Sequence, residues 1–215
     1  SSDLLAHEYT HILSFEPANG VMVPLRAIFG NVIAPNLVLP NWWKEGLAVE
    51  METRLGRFGR LRSTYQEASI RAMILDDVLK NYDVAQASEP QPSWPEGMRP
   101  YLFGSLTWSQ ILADHGQEVV DKLTQRHGAR VPYFIETPAR DYLGKSYTSQ
   151  YNDALESTGQ KALAQLNVLK EQPITPVQVA MNTYQYISAP AISADGKNMA
   201  VIAEDDSNSR AVKIL

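Results

Sequence analysis

Hydrophobic and polar positions recur along most of the chain with a helical rather than a strand period. Leu4, Leu5, Tyr9, Ile12 and Leu13 predict a helix from Asp3 to about Phe15, with Asp3 placed to cap its start. Pro17-Ala18-Asn19-Gly20 breaks that pattern, and Pro24, Gly30, Pro35 and Pro40 punctuate residues 21–40, which read as loop with short turns. A second helix is expected over about 42–54, ended by Gly56, and a third over about 63–80. Pro90, Pro92, Pro95 and Pro100 make residues 89–100 irregular, either an ordered crossing or a mobile loop. Helices then fit Leu102 to His115 and Gln117 to His127, each stopped by a glycine (Gly116, Gly128) in the manner of a left-handed cap. Two more fit about 132–142 and 146–170.

Beyond Pro173 the pattern changes. Tyr184-Gln185-Tyr186-Ile187 and Met199-Ala200-Val201-Ile202-Ala203 are short β-type runs joined through a turn at Asp195-Gly196, and Val212 to Leu215 reads as an unfinished strand. The fold class expected is mainly α: a helical domain over residues 1–172, a linker over 173–182, and a partial all-β unit over 183–215. The chain opens without an initiating Met or signal peptide, so it reads as a piece of a longer protein.

Composition narrows the chemistry. A net charge of −5 supplies no basic field for nucleic acid, and no run of apolar residues is long enough to span a membrane. Without cysteine, a metal could be held only by His, Asp or Glu, and there are 4 histidines.

Two of those histidines lie in His7-Glu8-Tyr9-Thr10-His11. Residues four apart on a helix return to within about 40° of one another, one turn along. Two imidazoles so placed can share one tetrahedral Zn²⁺, with Glu8 beside them as a general base that does not bind the metal. Chance alone yields about 0.004 such matches in a chain of this composition. His115 and His127 stand in the last turns of their helices, where a basic side chain suits the helix dipole. The third ligand expected is therefore Glu45, in the first turn of the second helix beside Gly46 and Ala48, which permit close approach to the first. Glu50 lies about 140° round that helix and is expected in solvent; Glu52 returns to the face of Glu45 and is a possible outer-shell carboxylate.

HEYTH followed by EGLAVEME resembles the gluzincin metallopeptidases, in particular the aminopeptidase N branch with its HExxH and EGxAxxxE segments. The resemblance implies a zinc peptidase in which His7, His11 and Glu45 bind Zn²⁺ and Glu8 is the general base. In that branch a tyrosine opening a later helix, in a Y-x-x-G segment, hydrogen-bonds the oxyanion; Tyr101-Leu102-Phe103-Gly104 matches, so Tyr101 is implied in that role. The match departs from the family in a longer gap between HExxH and Glu45, in Val49 where thermolysin-type enzymes carry an aspartate, and in lacking the β-sheet that precedes the HExxH helix. Aminopeptidase and endopeptidase specificity stay open, as does a non-catalytic binding or scaffold protein that keeps the fold.

Residues 188–200 are similar to the P-x-x-S-x-D-G-K-x-I-A signature of a TolB-type β-propeller blade. That resemblance implies a peptide or protein substrate recruited by a propeller, and a place in the periplasm or cell envelope of a bacterium.

Overall fold

A computed structural model describes residues 2–89, 96–131, 133–179, 183–184, 186–205, 207 and 209–215. The chain divides into two compact units, Ser1–Glu171 and Gln172–Leu215. It is mainly helical, with a small antiparallel sheet at the C-terminus.

In the first unit the helices are α1 (Ser2–Phe15), α2 (Met22–Phe29), α3 (Asn41–Leu55), α4 (Thr64–Leu75), α5 (Val84–Ser88), α6 (Arg99–His115), α7 (Glu118–Gly128), α8 (Glu136–Leu143) and α9 (Tyr147–Lys170). α3 is the central one. Trp42, Trp43, Leu47, Ala48, Val49 and Met51 bury its apolar positions, and Glu50, Glu52 and Thr53 are buried with them. Trp43, Trp108 and Leu123 belong to one core cluster, Met73, Phe103 and Tyr151 to a second. The indoles of Trp43 and Trp108 meet edge to face at 5.0 Å, and their N–H groups are satisfied: Trp108 Nε1 donates to the Trp43 carbonyl (2.8 Å), Trp43 Nε1 to the Tyr147 hydroxyl (3.1 Å).

Two glycines set the helix crossing at the centre. A Cβ built on Gly46 of α3 would fall inside the backbone of Gly104 on α6, and one on Gly104 would lie 2.9 Å from Gly46 Cα. No other residue permits α3 and α6 to approach so closely.

Several sequence expectations are corrected. Residues 21–40 are not mainly loop: α2 forms there with Pro24 in its first turn, where a missing N–H costs nothing, and 3₁₀ turns follow at Gly30–Val32 and Pro35–Val38. The helix expected over 63–80 stops at Leu75, because Asp77 takes a positive φ of 53°, which an aspartate tolerates. α5 follows, opened by a capping box between Asp83 and Gln86. α6 begins at Arg99 rather than Leu102, with Pro100 in its first turn. Gly128 is not a left-handed cap; it is the last residue of α7, and its Cβ would come within 2.5 Å of the Pro17 carbonyl. Gly116 has a positive φ of 75° but an extended ψ. Asp3 does not cap α1; from within its first turn it accepts a hydrogen bond from the backbone N–H of Arg57 (3.1 Å). Most of the irregular stretch expected over 89–100 (90–95), the start of the helix expected at 132, the linker residues 180–182 and strand residue 185 lie outside the described residues.

The apolar stripe that predicted α1 is its outward face. Leu4, Leu5, Tyr9, Ile12 and Leu13 are all exposed, whereas His7 and Ser14 are buried. α1 therefore turns its histidines toward α3.

The second unit is a three-stranded antiparallel sheet in the order β1 (Tyr186–Ile192), β2 (Met199–Glu204), β3 (Arg210–Ile214). Val201 and Ala203 are buried while Ile202 between them is exposed, the alternation of a half-buried strand. β1 runs further than expected. Its pairing with β2 is interrupted between Ser188 and Ala191, where Ala189 has a φ of 51° and Pro190 has no N–H to give the ladder. The reversal to β2 uses Gly196 at φ 71°, with Asp195 accepting from Ser193 Oγ (2.6 Å) and from the Lys197 backbone N–H (3.1 Å). Among the described residues, no helix is long and apolar enough to cross a membrane.

Candidate metal centre

α1 and α3 bring His7, His11 and Glu45 together. His7 Nε2 and His11 Nε2 are 3.3 Å apart, and Glu45 Oε2 lies 3.4 Å from the first and 3.3 Å from the second. Three donor atoms around a tetrahedral zinc with bonds of about 2.0–2.1 Å would be spaced by about 3.3 Å, so the triangle has the dimensions of that ion's coordination edge. Three lone pairs facing one another at this range repel unless a cation or a proton sits among them. Among the described residues, this is the cluster whose ligand atoms could hold a metal.

Burial works against the Glu45 carboxylate, but hydrogen bonds and charge from His11 and His7 outweigh it and hold its pKa well below the usual carboxylate range.

Behind His7 stands a second layer. His7 Nδ1 lies 3.0 Å from Glu52 Oε2 and 2.8 Å from Arg60 Nη2. One ring nitrogen cannot donate to the first and accept from the second. With Nδ1–H donating to Glu52, the Nε2 lone pair is left for the metal side, and Nδ1–H and Arg60 share Glu52 Oε2 as acceptor. Glu52 is buried and accepts further from Arg60 Nε (2.8 Å to Oε1), Nη2 (2.8 Å to Oε2) and backbone N–H (3.0 Å to Oε1). Burial raises its pKa, and these Arg60 bonds lower it by more, so it stays ionised. On the other imidazole, His11 Nδ1 is buried with no hydrogen-bond partner, and the ring stacks on Phe15 at 5.2 Å.

Glu8 follows the buried His7 on α1 and is solvent-exposed. Tyr101, in the first turn of α6, brings its ring to 6.2 Å from that of His7. Arg60 Cζ lies 4.8 Å above the Tyr101 ring. Burial first, then the Glu45 charge, raise the Tyr101 pKa, with Arg60 opposing, so the phenol keeps its proton at neutral pH.

The sequence-predicted residues His7, His11, Glu45, Glu52 and Tyr101 thus converge, and Glu8 flanks them. Two expectations fail. Glu50 is not in solvent: it is buried, accepting from Arg54 Nε (2.7 Å) and Ser109 Oγ (2.5 Å), because α3 is covered on all sides. His127 is not a dipole-stabilising cation: it is buried beside the Tyr147 hydroxyl (2.9 Å), and burial, with Arg130 adding to it, pushes its pKa down to about 4. Arg60 was missed. Its one sequence signal is an arginine directly after the Gly56–Gly59 stretch, eight residues after Glu52.

Compared with known proteins, the chain matches no family model, no curated protein and no solved structure.

Proposed function

We propose that this chain is a zinc-dependent peptidase of gluzincin type that acts on a peptide or protein substrate. The observation that carries the reading is the 3.3–3.4 Å triangle of His7 Nε2, His11 Nε2 and Glu45 Oε2, with the outer carboxylate of Glu52 on His7. Two neutral imidazoles and one carboxylate are a donor set suited to zinc rather than to magnesium or calcium, which favour oxygen cages. Bound there, zinc supplies Lewis acidity toward a water and a peptide carbonyl.

The chain's own groups do the rest. Glu8 takes a proton from the attacking water onto a carboxylate oxygen as the new C–O bond forms. It delivers that proton to the amide nitrogen as the C–N bond breaks, so its carboxylate is regenerated. The Tyr101 O–H donates to the carbonyl oxygen as negative charge grows on it. Glu52 keeps the proton on His7 Nδ1 and the ring in place.

The Gln172–Leu215 sheet, with Ser193, Asp195, Gly196 and Lys197 at its first reversal, supports reading that unit as part of a TolB-type propeller blade. Such a blade fits a substrate-recruiting role in a bacterial cell envelope.

The test is a digest of a peptide mixture by the zinc-loaded chain, read by mass spectrometry, beside Glu8→Gln. Cleavage should vanish in the variant while zinc content holds. Undiminished cleavage by Glu8→Gln rejects the mechanism. Failure of the parent chain to take up zinc rejects the centre, and tight zinc without cleavage gives a metal-keeping scaffold instead.

A further inference from the structure

We infer that Arg60 is the positioning residue of this centre, one guanidinium that holds both the His7 side and the Tyr101 side in register; the inference rests on the zinc-peptidase reading. Its contacts reach three helices. On α3 it grips Glu52 through Nε and Nη2, a fork-to-fork pair that fixes the carboxylate plane. Through Glu52 it sets the imidazole of His7 on α1. On α6 it lies against the face of Tyr101, 4.8 Å from the ring centroid, where the ring's negative face attracts a cation.

The platform beneath it is backbone. Arg60 opens the 3₁₀ turn Arg60–Arg62, and its own N–H is bonded to Glu52 Oε1. The next residue, Leu61, donates its N–H to Thr53 Oγ1 (3.3 Å), and Gly59 packs so closely on Thr53 that a Cβ there would overlap it. The turn is therefore seated on the last turn of α3, and the guanidinium projects from a rigid base. Glu52 receives four contacts from Arg60 and His7, and the guanidinium supplies two of them. Lysine could replace the charge but neither the fork nor the flat face that stacks on Tyr101.

The experiment measures zinc affinity by competition with a chromophoric chelator, and steady-state cleavage, for the full chain and for Arg60→Lys, Arg60→Ala, Tyr101→Phe and Arg60→Lys/Tyr101→Phe. Both Arg60 variants should bind zinc about 10- to 100-fold more weakly, the range for loss of an outer-shell partner. The kcat should fall while KM holds, and the metal-free unfolding midpoint of Arg60→Lys should stay near that of the parent. The double variant should lose less kcat than the product of the single losses, because the two residues act through one contact. Parent-like zinc affinity and kcat in Arg60→Lys overturn the inference and leave the peptidase reading standing. Multiplicative kcat losses overturn its Tyr101 half. A parent chain that binds no zinc removes the reading beneath it. If Arg60→Ala does not fold, the lysine variant alone decides.

Discussion

Gly46 of α3 and Gly104 of α6 cross with their backbones in contact, and a Cβ on either would overlap the other helix. The relationship matters because Glu45 precedes the first glycine and Tyr101 lies one turn before the second. The crossing therefore fixes the separation of a candidate metal ligand from a candidate oxyanion donor. Gly104→Ala would press a methyl into the Trp42 carbonyl, a backbone atom that cannot swing aside. It should destabilise by about 3 kcal/mol, the upper end for overpacking, measured as a drop in the urea midpoint. A midpoint equal to the parent's would show that the helices can separate without loss.

Zinc should stabilise the chain if the triangle is a site. A ligand that binds only the folded state adds about 2.7 kcal/mol at a hundredfold excess over Kd, so the melting temperature should climb with zinc concentration. His11→Ala and Glu45→Ala should remove the dependence, since each deletes one corner of the triangle. Magnesium at the same concentration should leave the parent's melting temperature where it is. An equal rise with Glu45→Ala would place the ion elsewhere.

Much of this arrangement was legible in the sequence, for identifiable reasons. The turn-to-turn spacing of His7 and His11 depends only on α1 being helical. Glu45 needed a second helix close to α1, but Gly46, expected to allow that approach, packs instead on Gly104 of α6. Arg60 was not legible, because its grip on Glu52 depends on the chain after Gly56 folding back onto α3, a reversal that leaves no periodic pattern in the sequence. The inversion of α1 was hidden for a similar reason: an apolar stripe marks a helix without saying which face its neighbours take, and here Leu5 and Ile12 point outward. Glu50 was misread because helix angle alone assumes a surface helix, whereas α3 is enclosed.

Tyr101→Phe separates chemistry from architecture. The ring keeps its place against Arg60 and His7, so folding should be unchanged, and zinc affinity should move only by the loss of the phenol's hydrogen bond to Glu45. Removal of one oxyanion donor lowers kcat by about 10²- to 10³-fold in enzymes that depend on it. The same loss with little change in KM is expected here, read from steady-state kinetics on a peptide found in the digest. A kcat within about twofold of the parent's would assign Tyr101 to packing alone.

The buried triad Trp43, Tyr147 and His127 should make the stability of the metal-free chain pH-dependent. Tyr147 accepts from Trp43 Nε1, so its own O–H is free to donate to His127 Nε2, which must then be unprotonated. Burial, then Arg130, depress the folded pKa of His127 to about 4, against an ordinary 6.5 in the unfolded chain. Between those values the unfolded chain holds the extra proton, so stability rises with pH; it is complete above the unfolded value and is lost as pH falls toward the folded one. The loss amounts to about 3 kcal/mol over the whole window and about 1.5 kcal/mol between roughly pH 6.5 and pH 5. That upper interval also lies above the ordinary 4.5 at which Glu45 and Glu52 take up protons in the unfolded chain, so the stability their lowered pKa values contribute is still nearly complete there. Urea unfolding of the metal-free chain at those two pH values should show the difference. His127→Gln should flatten it, since a carboxamide can still pair with Tyr147 but takes no proton. A slope that survives in His127→Gln would mean that another group carries it.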